Sequence, residues 1–234
     1  MNEPRIIVAL DYADANSALQ FVKRVEPQAC RLKIGLELYT SAGPQLVEQL
    51  ARRGFGMFLD LKLHDIPHTV AQACKAASRL GVWMLSLHAL GGGTMLAAAR
   101  EAVGGVMPRP LLIAVTVPTS MGREELGQLG IGGEIDEAVL RLARVAHQAG
   151  MDGVVCSGQE ARQLKKQFGR EFCVVTPAIR PAQTGYDDQL RVTTPRQAAL
   201  NGADYLVIGR PVTRAADPLR ALEEINREMA GSQE

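Results

Sequence analysis

Asp60, Lys62 and Asp65 fall together in the run from Phe58 to Pro67, FLDLKLHDIP. On an extended strand successive side chains leave opposite faces, so residues 60 and 62 share one face while Leu59, Leu61 and Leu63 share the other. A carboxylate and an ammonium then stand on one wall. Nearby negative charge keeps such a lysine protonated near pH 7. Lys62 is thereby suited to donating a proton to a developing carbanion, and poorly suited to forming a Schiff base, which needs the neutral amine. A structural ion-pair network at a strand end is the bland alternative. Asp65 follows where Asp65-Ile66-Pro67 ends the strand. Pro67 forces a turn before a helix that begins near Thr69, and that turn projects Asp65 away from its own strand.

Other polar residues close other apolar runs: Asp11 after the first, Lys33 in the second, His88 at the fourth and Gly209-Arg210 after the last. Gly209-Arg210-Pro211 has the makings of an anion site. Free backbone N–H groups at a helix start attract phosphate, and an arginine adds a bidentate grip. His64 and His68 are four apart, as paired metal ligands on a helix would be, but Pro67 intervenes and no metal role is expected. His64 is read as positioned by the strand end, His68 as a helix-start residue, and His147 as a surface group. His88 is either a ligand contact or a hydrogen-bonded structural histidine. Gly91 to Gly93 is read as a backbone approach to a ligand or as a flexible turn. Cys30, Cys74, Cys156 and Cys173 show no C-x-x-C spacing and read as reduced packing residues.

Eight strand-like runs carry these residues: Arg5 to Leu10, Arg31 to Gly35, Gly56 to Leu63, Trp83 to His88, Leu111 to Val117, Gly153 to Cys156, Cys173 to Thr176 and Tyr205 to Ile208. Helical spacing marks Ala15 to Val25, Gly43 to Arg53, Thr69 to Leu80, Thr94 to Val103, Ile135 to Ala149, Gln159 to Phe168, Thr194 to Asn201 and Pro218 to Met229. The strands recur at steps of roughly 20 to 42 residues, close to one βα unit. Near-continuous apolar strands alternating with helices predict a single-domain α/β protein, a (β/α)8 TIM barrel over residues 1–234, with an open doubly wound sheet as the alternative. In such a barrel the C-terminal strand ends meet at one rim, where catalytic residues gather. Two long connections, Pro118 to Gly133 and Pro177 to Arg191, leave from that rim and are suited to closing over a ligand.

Composition narrows the partners. The chain has 234 residues, 26 Lys+Arg against 25 Asp+Glu, a net charge of +1 and 47% hydrophobic residues. That is material for a sizeable core, without the basic patch expected of a nucleic-acid or membrane-surface binder. Five Phe, four Tyr and one Trp leave little for base stacking. No apolar run approaches the length of a transmembrane helix, and the N-terminus shows no signal-peptide pattern, so a cytoplasmic protein with a small ligand is expected.

With these residues in view, the chain resembles the orotidine 5'-phosphate decarboxylase family from Arg5 to about Asn226. The most specific part is the D-x-K-x-x-D pattern formed by Asp60, Lys62 and Asp65. Leu10-Asp11, Leu32 to Gly35, Leu87 to Ala89, Ala114 to Ser120, Thr176-Pro177, Ile179 to Pro181 and Val207 to Pro211 support it. The resemblance implies decarboxylation of orotidine 5'-phosphate to UMP in pyrimidine biosynthesis, by a homodimer with shared active sites and with neither metal nor organic cofactor. It implies that Lys62 protonates C6 as carbon dioxide leaves, that Asp60 lies beside the departing carboxylate and helps hold Lys62, and that Asp65 reaches the partner's site with Ile66 and Thr69 alongside. Asp11 and Lys33 would bind ribose hydroxyls, and Thr119, with Ser120 beside it, the pyrimidine. Arg180, Gln189, Gly209 and Arg210 would hold the phosphate.

Three positions depart from the family pattern: Ala178 where Gly is usual, His68 where Asn is common, and Leu90 in place of a small polar residue. They put loop conformation in question and leave every charged member of the site intact. Two other readings remain. A magnesium-dependent sugar-phosphate decarboxylase or aldolase of the same suprafamily would carry an acidic metal ligand where Lys33 stands. A non-catalytic nucleotide-binding barrel would lack the lysine or one of its carboxylate neighbours.

Overall fold

The computed structural model describes residues 3–180 and 191–231. Eight parallel strands close on themselves in sequence order: β1 (Ile6–Ala9), β2 (Arg31–Gly35), β3 (Met57–Leu63), β4 (Met84–His88), β5 (Leu111–Val115), β6 (Gly153–Val155), β7 (Cys173–Thr176) and β8 (Tyr205–Ile208), with β8 pairing back to β1. The expected (β/α)8 barrel is the fold observed, and the open sheet is not.

Helices α1 (Ala15–Val22), α2 (Leu36–Arg52), α3 (Pro67–Ser78), α4 (Gly92–Ala102), α5 (Arg123–Gln128), α6 (Ile135–Gln148), α7 (Ala161–Phe168), α8 (Pro195–Leu200), α9 (Arg210–Thr213) and α10 (Pro218–Ala230) lie between and after the strands. Their starts follow local chemistry. Asp14, Thr194 and Asp217 each accept a backbone N–H from the first turn of α1, α8 and α10, and Pro occupies the first turn of α3, α8 and α10. α2 differs from the expected Gly43 to Arg53 segment. Gly43 takes a left-handed φ of 69° before Pro44 and kinks the helix, and a further helical piece from Leu36 precedes the kink.

Two cores result. One lies between barrel and helices and includes Val8, Leu32, Leu59, Leu85, Leu112 and Leu206. The other fills the barrel with Ile7, Ala9, Phe58, Met84, Ile113, Val175 and Val207. Below this filling, at the N-terminal strand ends, the Arg31 guanidinium sits 3.8 Å over the Trp83 ring, and Trp83 meets Tyr205 edge-on at 4.9 Å. The bottom of the barrel is thus closed, and access is left at the opposite rim.

Candidate active site

The site begins with an irregularity in β3. Leu59 pairs with Leu85 and Leu63 with Leu87, so Asp60, Leu61 and Lys62 together face the single residue Ser86 on β4. Lys62 absorbs the excess with a left-handed φ of 52°, a conformation that costs an L-residue about 1–2 kcal/mol. Sequence alternation placed residues 60 and 62 on one face through a regular strand. The structure brings them together through a bulge, which aims a side chain at a rim as bulges beside active sites do.

Lys62 Nζ donates to Asp60 Oδ2 at 2.9 Å. Lys33 Nζ, from β2, lies 3.4 Å from the same oxygen and 3.5 Å from Asp11 Oδ1. The Ser86 hydroxyl donates to Asp60 Oδ1 at 2.8 Å and accepts the Lys62 backbone N–H at 2.9 Å. Asp60 is 7% exposed. Burial pushes its carboxyl up, but the Lys33 and Lys62 ammoniums and the hydrogen bonds from Lys62 and Ser86 more than offset this and hold it below the usual carboxylate range. A charged Asp60 between two cations is the electrostatic centre of the rim.

A cavity of about 340 Å³ opens above this array. Asp11, Lys33, Asp60, Lys62, Thr119, Ser120, Arg180, Gly209 and Arg210 line it, with Phe58, Val117, Val155 and Val207 supplying apolar walls. Arg210 opens α9 directly after β8. Arg180 and Ala178 are tied to Thr193 by backbone hydrogen bonds, Arg180 N to Thr193 O at 3.0 Å and Thr193 N to Ala178 O at 3.3 Å. Gln189 lies outside the described residues. Asp65, Ile66 and Thr69 are exposed and do not line the cavity of their own chain; the Asp65 carboxylate accepts the Ile66 N–H at 2.6 Å. Pro67 is the first residue of α3, so the helix starts two residues before the expected Thr69.

The histidines fall outside the cavity. His88 stacks on His64 at 5.5 Å and accepts the Leu90 N–H. Burial, then the charges of His64 and Lys62, lower its affinity for a proton. Of its two readings, the hydrogen-bonded structural one matches. His68 is exposed in the first turn of α3, and His147 is exposed against Phe168 and Phe172. Among the described residues no group of three His, Cys, Asp or Glu side chains could hold a metal ion.

Several site residues carried no signal in the sequence. Ser86 is one. Arg191 is another: its guanidinium is buried, pairs with Glu160 and donates to the Val117 and Pro118 carbonyls at 3.0 and 2.9 Å, directly before Thr119. It joins the connection after β7 to the connection after β5. Burial raises the Glu160 carboxyl above its ordinary range despite Arg191. Cys156 lines the cavity, and burial pushes its thiol well up, which disfavours the reactive thiolate and fits a packing residue. Ala178 holds a left-handed φ of 58°, which gives a physical reason for glycine to be usual there.

A closed parallel barrel that delivers two lysines, two aspartates and two arginines from its C-terminal strand ends into one open cavity is a (β/α)8-barrel enzyme. The chain belongs to the family described as Orotidine 5'-phosphate decarboxylase / HUMPS family, whose model matches residues 4–225. It is 59% identical over 225 residues to an orotidine 5'-phosphate decarboxylase of Chromobacterium violaceum, covering 96% of this chain and 91% of that one. A second relative of that name, from Nitrosospira multiformis, is 56% identical over 229 residues, covering 98% and 95%. The crystal structure of orotidine 5'-phosphate decarboxylase from Lactobacillus acidophilus superposes with a TM-score of 0.86 at 36% identity, over 97% of this chain and 99% of that one.

Proposed function

We propose that this chain, as one barrel domain, converts orotidine 5'-phosphate to UMP and carbon dioxide in pyrimidine biosynthesis, with Lys62 as the proton donor and without metal or organic cofactor. The observation that carries this reading is the Lys33–Asp60–Lys62 array in a cavity that Arg180, Gly209 and Arg210 also line. In the reaction the bond between C6 and the carboxyl carbon breaks and its electron pair stays on C6. The Lys62 ammonium gives that carbon its proton, and carbon dioxide leaves.

A carbanion at C6 has little resonance help, so a fixed ammonium in a closed site lowers the barrier by being bound best when the negative charge is greatest. Asp60 keeps the ammonium in place and stands beside the departing carboxylate. Asp11 and Lys33 bind the ribose hydroxyls. Thr119 meets the pyrimidine, with Ser120 beside it. Arg180, Gln189, Gly209 and Arg210 hold the phosphate, and binding energy from that non-reacting group contributes to catalysis.

The magnesium-dependent sugar-phosphate reading is disfavoured by Lys33. Its ammonium, 3.4 Å from Asp60, occupies the end of β2 with a charge that opposes a divalent cation. The site also acts as half of a pair in this reading. Exposed Leu36, Ile66 and Leu90 follow β2, β3 and β4 on the same rim as exposed Asp65, a surface suited to a second copy of the chain.

The test is the fall in ultraviolet absorbance when purified protein meets orotidine 5'-phosphate in excess EDTA, repeated with added magnesium. Loss in EDTA at an undiminished rate is expected. Inertness in EDTA together with magnesium-dependent turnover of a sugar phosphate would move the chain to the other branch of its family, and inertness in both would leave a binding protein.

A further inference from the structure

Ser86 is fully buried at the centre of β4, and its single hydroxyl makes two bonds to the residues proposed to do the chemistry. The bulge in β3 leaves the Lys62 N–H without a regular strand partner, and Ser86 Oγ accepts it at 2.9 Å. The proton of the same hydroxyl points to Asp60 Oδ1 at 2.8 Å. The other oxygen of that carboxylate holds Lys62 Nζ at 2.9 Å. A closed ring of contacts therefore runs from the Lys62 backbone through Ser86 and Asp60 to the Lys62 ammonium. The ring fixes the carboxylate's rotation as well as the lysine's unusual backbone.

We propose that Ser86 is a positioning residue for the reaction: its hydroxyl holds the β3 bulge and the Asp60 carboxylate in the one arrangement that aims the Lys62 ammonium into the cavity. The proposal rests on the decarboxylase reading for its kinetic consequence, and on geometry alone for its structural one. Without the hydroxyl, Asp60 turns and the left-handed turn at Lys62 loses its anchor. The ammonium then spends less time where C6 would be, while the groups that hold ribose and phosphate stay in place. A lost donor to the charged carboxylate also makes Asp60 easier to protonate. The charges that face Asp60 are Lys33 from β2 and Lys62 from its own strand. Asp11 sits behind Lys33, and His88, with His64 stacked on it, lies within the electrostatic reach of Lys62.

Ser86→Ala and Ser86→Thr separate positioning from bulk. For Ser86→Ala the expected result is a fall in kcat of about 10- to 100-fold with UMP affinity within about twofold of the parent. The pH of half-maximal kcat on the acid side should rise, as the lost donor requires. Hydrogen exchange at the Lys62 amide should speed up relative to the flanking strand amides by about tenfold or more. Ser86→Thr, which keeps the oxygen, should recover most of the kcat.

A Ser86→Ala protein with parental kcat, parental pH profile and a protected Lys62 amide overturns the proposal. So does one in which melting temperature and UMP affinity fall together while kcat holds. If the parent protein itself leaves orotidine 5'-phosphate unchanged, the decarboxylase reading fails by itself. The Lys62 amide then decides for Ser86: faster exchange in Ser86→Ala supports its grip on the bulge, and unchanged exchange overturns it.

Discussion

In the proposed reaction Lys62 separates binding from chemistry at the level of one side chain. In the proposed reading ribose and phosphate are held by Asp11, Lys33, Arg180 and Arg210, all of which line the cavity, and Lys33 keeps its own pairing to Asp11 at 3.5 Å. Lys62→Ala should therefore remain folded and bind UMP, while turnover falls by at least about 10³-fold, as loss of a preorganised charge at a reacting centre does. Calorimetric titration with UMP beside the absorbance assay checks this; a variant that loses the fold or the nucleotide makes Lys62 structural. The same substitution has a pH signature. Asp60 titrates below its unfolded value, so it contributes stability that is present above the unfolded carboxylate value of about 3.9 and is lost as pH falls through the folded one. Lys62 is among the causes of that depression, so the melting-temperature gap between parent and Lys62→Ala should narrow as pH drops below about 4. A gap that widened in acid would contradict the assignment.

At the scale of elements, the barrel depends on close approaches that tolerate no side chain. A Cβ on Gly153, the first residue of β6, would stand 2.0 Å from the Cys173 carbonyl oxygen and 2.6 Å from its carbon. Both atoms belong to the backbone of the neighbouring strand and cannot step aside as a side-chain tip can. Gly153→Ala should cost about 3 kcal/mol or more, read as a lower melting temperature, and a change of less than a degree would show that β6 and β7 separate easily. The strands were legible because each is an apolar run bounded by polar residues: β2, β7 and β8 end where the sequence places their ends. The helical piece Leu36–Ala42 was not, because it follows Gly35 without a side-chain cap and Gly43-Pro44 reads as a helix start. α5 falls within the Pro118 to Gly133 segment that the sequence presents as a connection, although Glu125 accepts the Gly122 N–H at 2.9 Å and gives its first turn a capping signal. The charges of the site were legible by their place at strand ends. Ser86 and Arg191 were not, since a lone serine in a strand and an arginine in a connection acquire meaning only through partners distant in sequence.

Over the whole molecule, charge is divided between the two ends of the barrel. At the N-terminal end Asp152 takes two bonds from Arg109 and one from the Leu112 N–H, and Asp204 pairs with Lys165 while accepting the Val174 N–H. Those carboxylates are consumed in holding strands to helices. At the C-terminal end Asp60 and Lys33 face the cavity, and Asp65 is exposed and does not line the cavity of its own chain, on a rim where Leu36, Ile66 and Leu90 are 58%, 66% and 39% exposed. An apolar rim carrying an outward acid fits a two-fold pair in which each chain completes the other's site, because an isologous contact gives with one patch what it receives with the same patch. Lys62→Ala and Asp65→Ala chains should each be nearly inert alone. Co-expressed and purified together, half of randomly formed dimers contain one of each, and each of those holds one site with both Lys62 and Asp65 intact and one with neither. About one quarter of parental activity should then return. Activity that tracks the heterodimer fraction on ion exchange would establish the shared site. A mixture as inert as its parents, or an Asp65→Ala chain that is fully active by itself, would confine each site to its own barrel and leave the exposed rim to another partner.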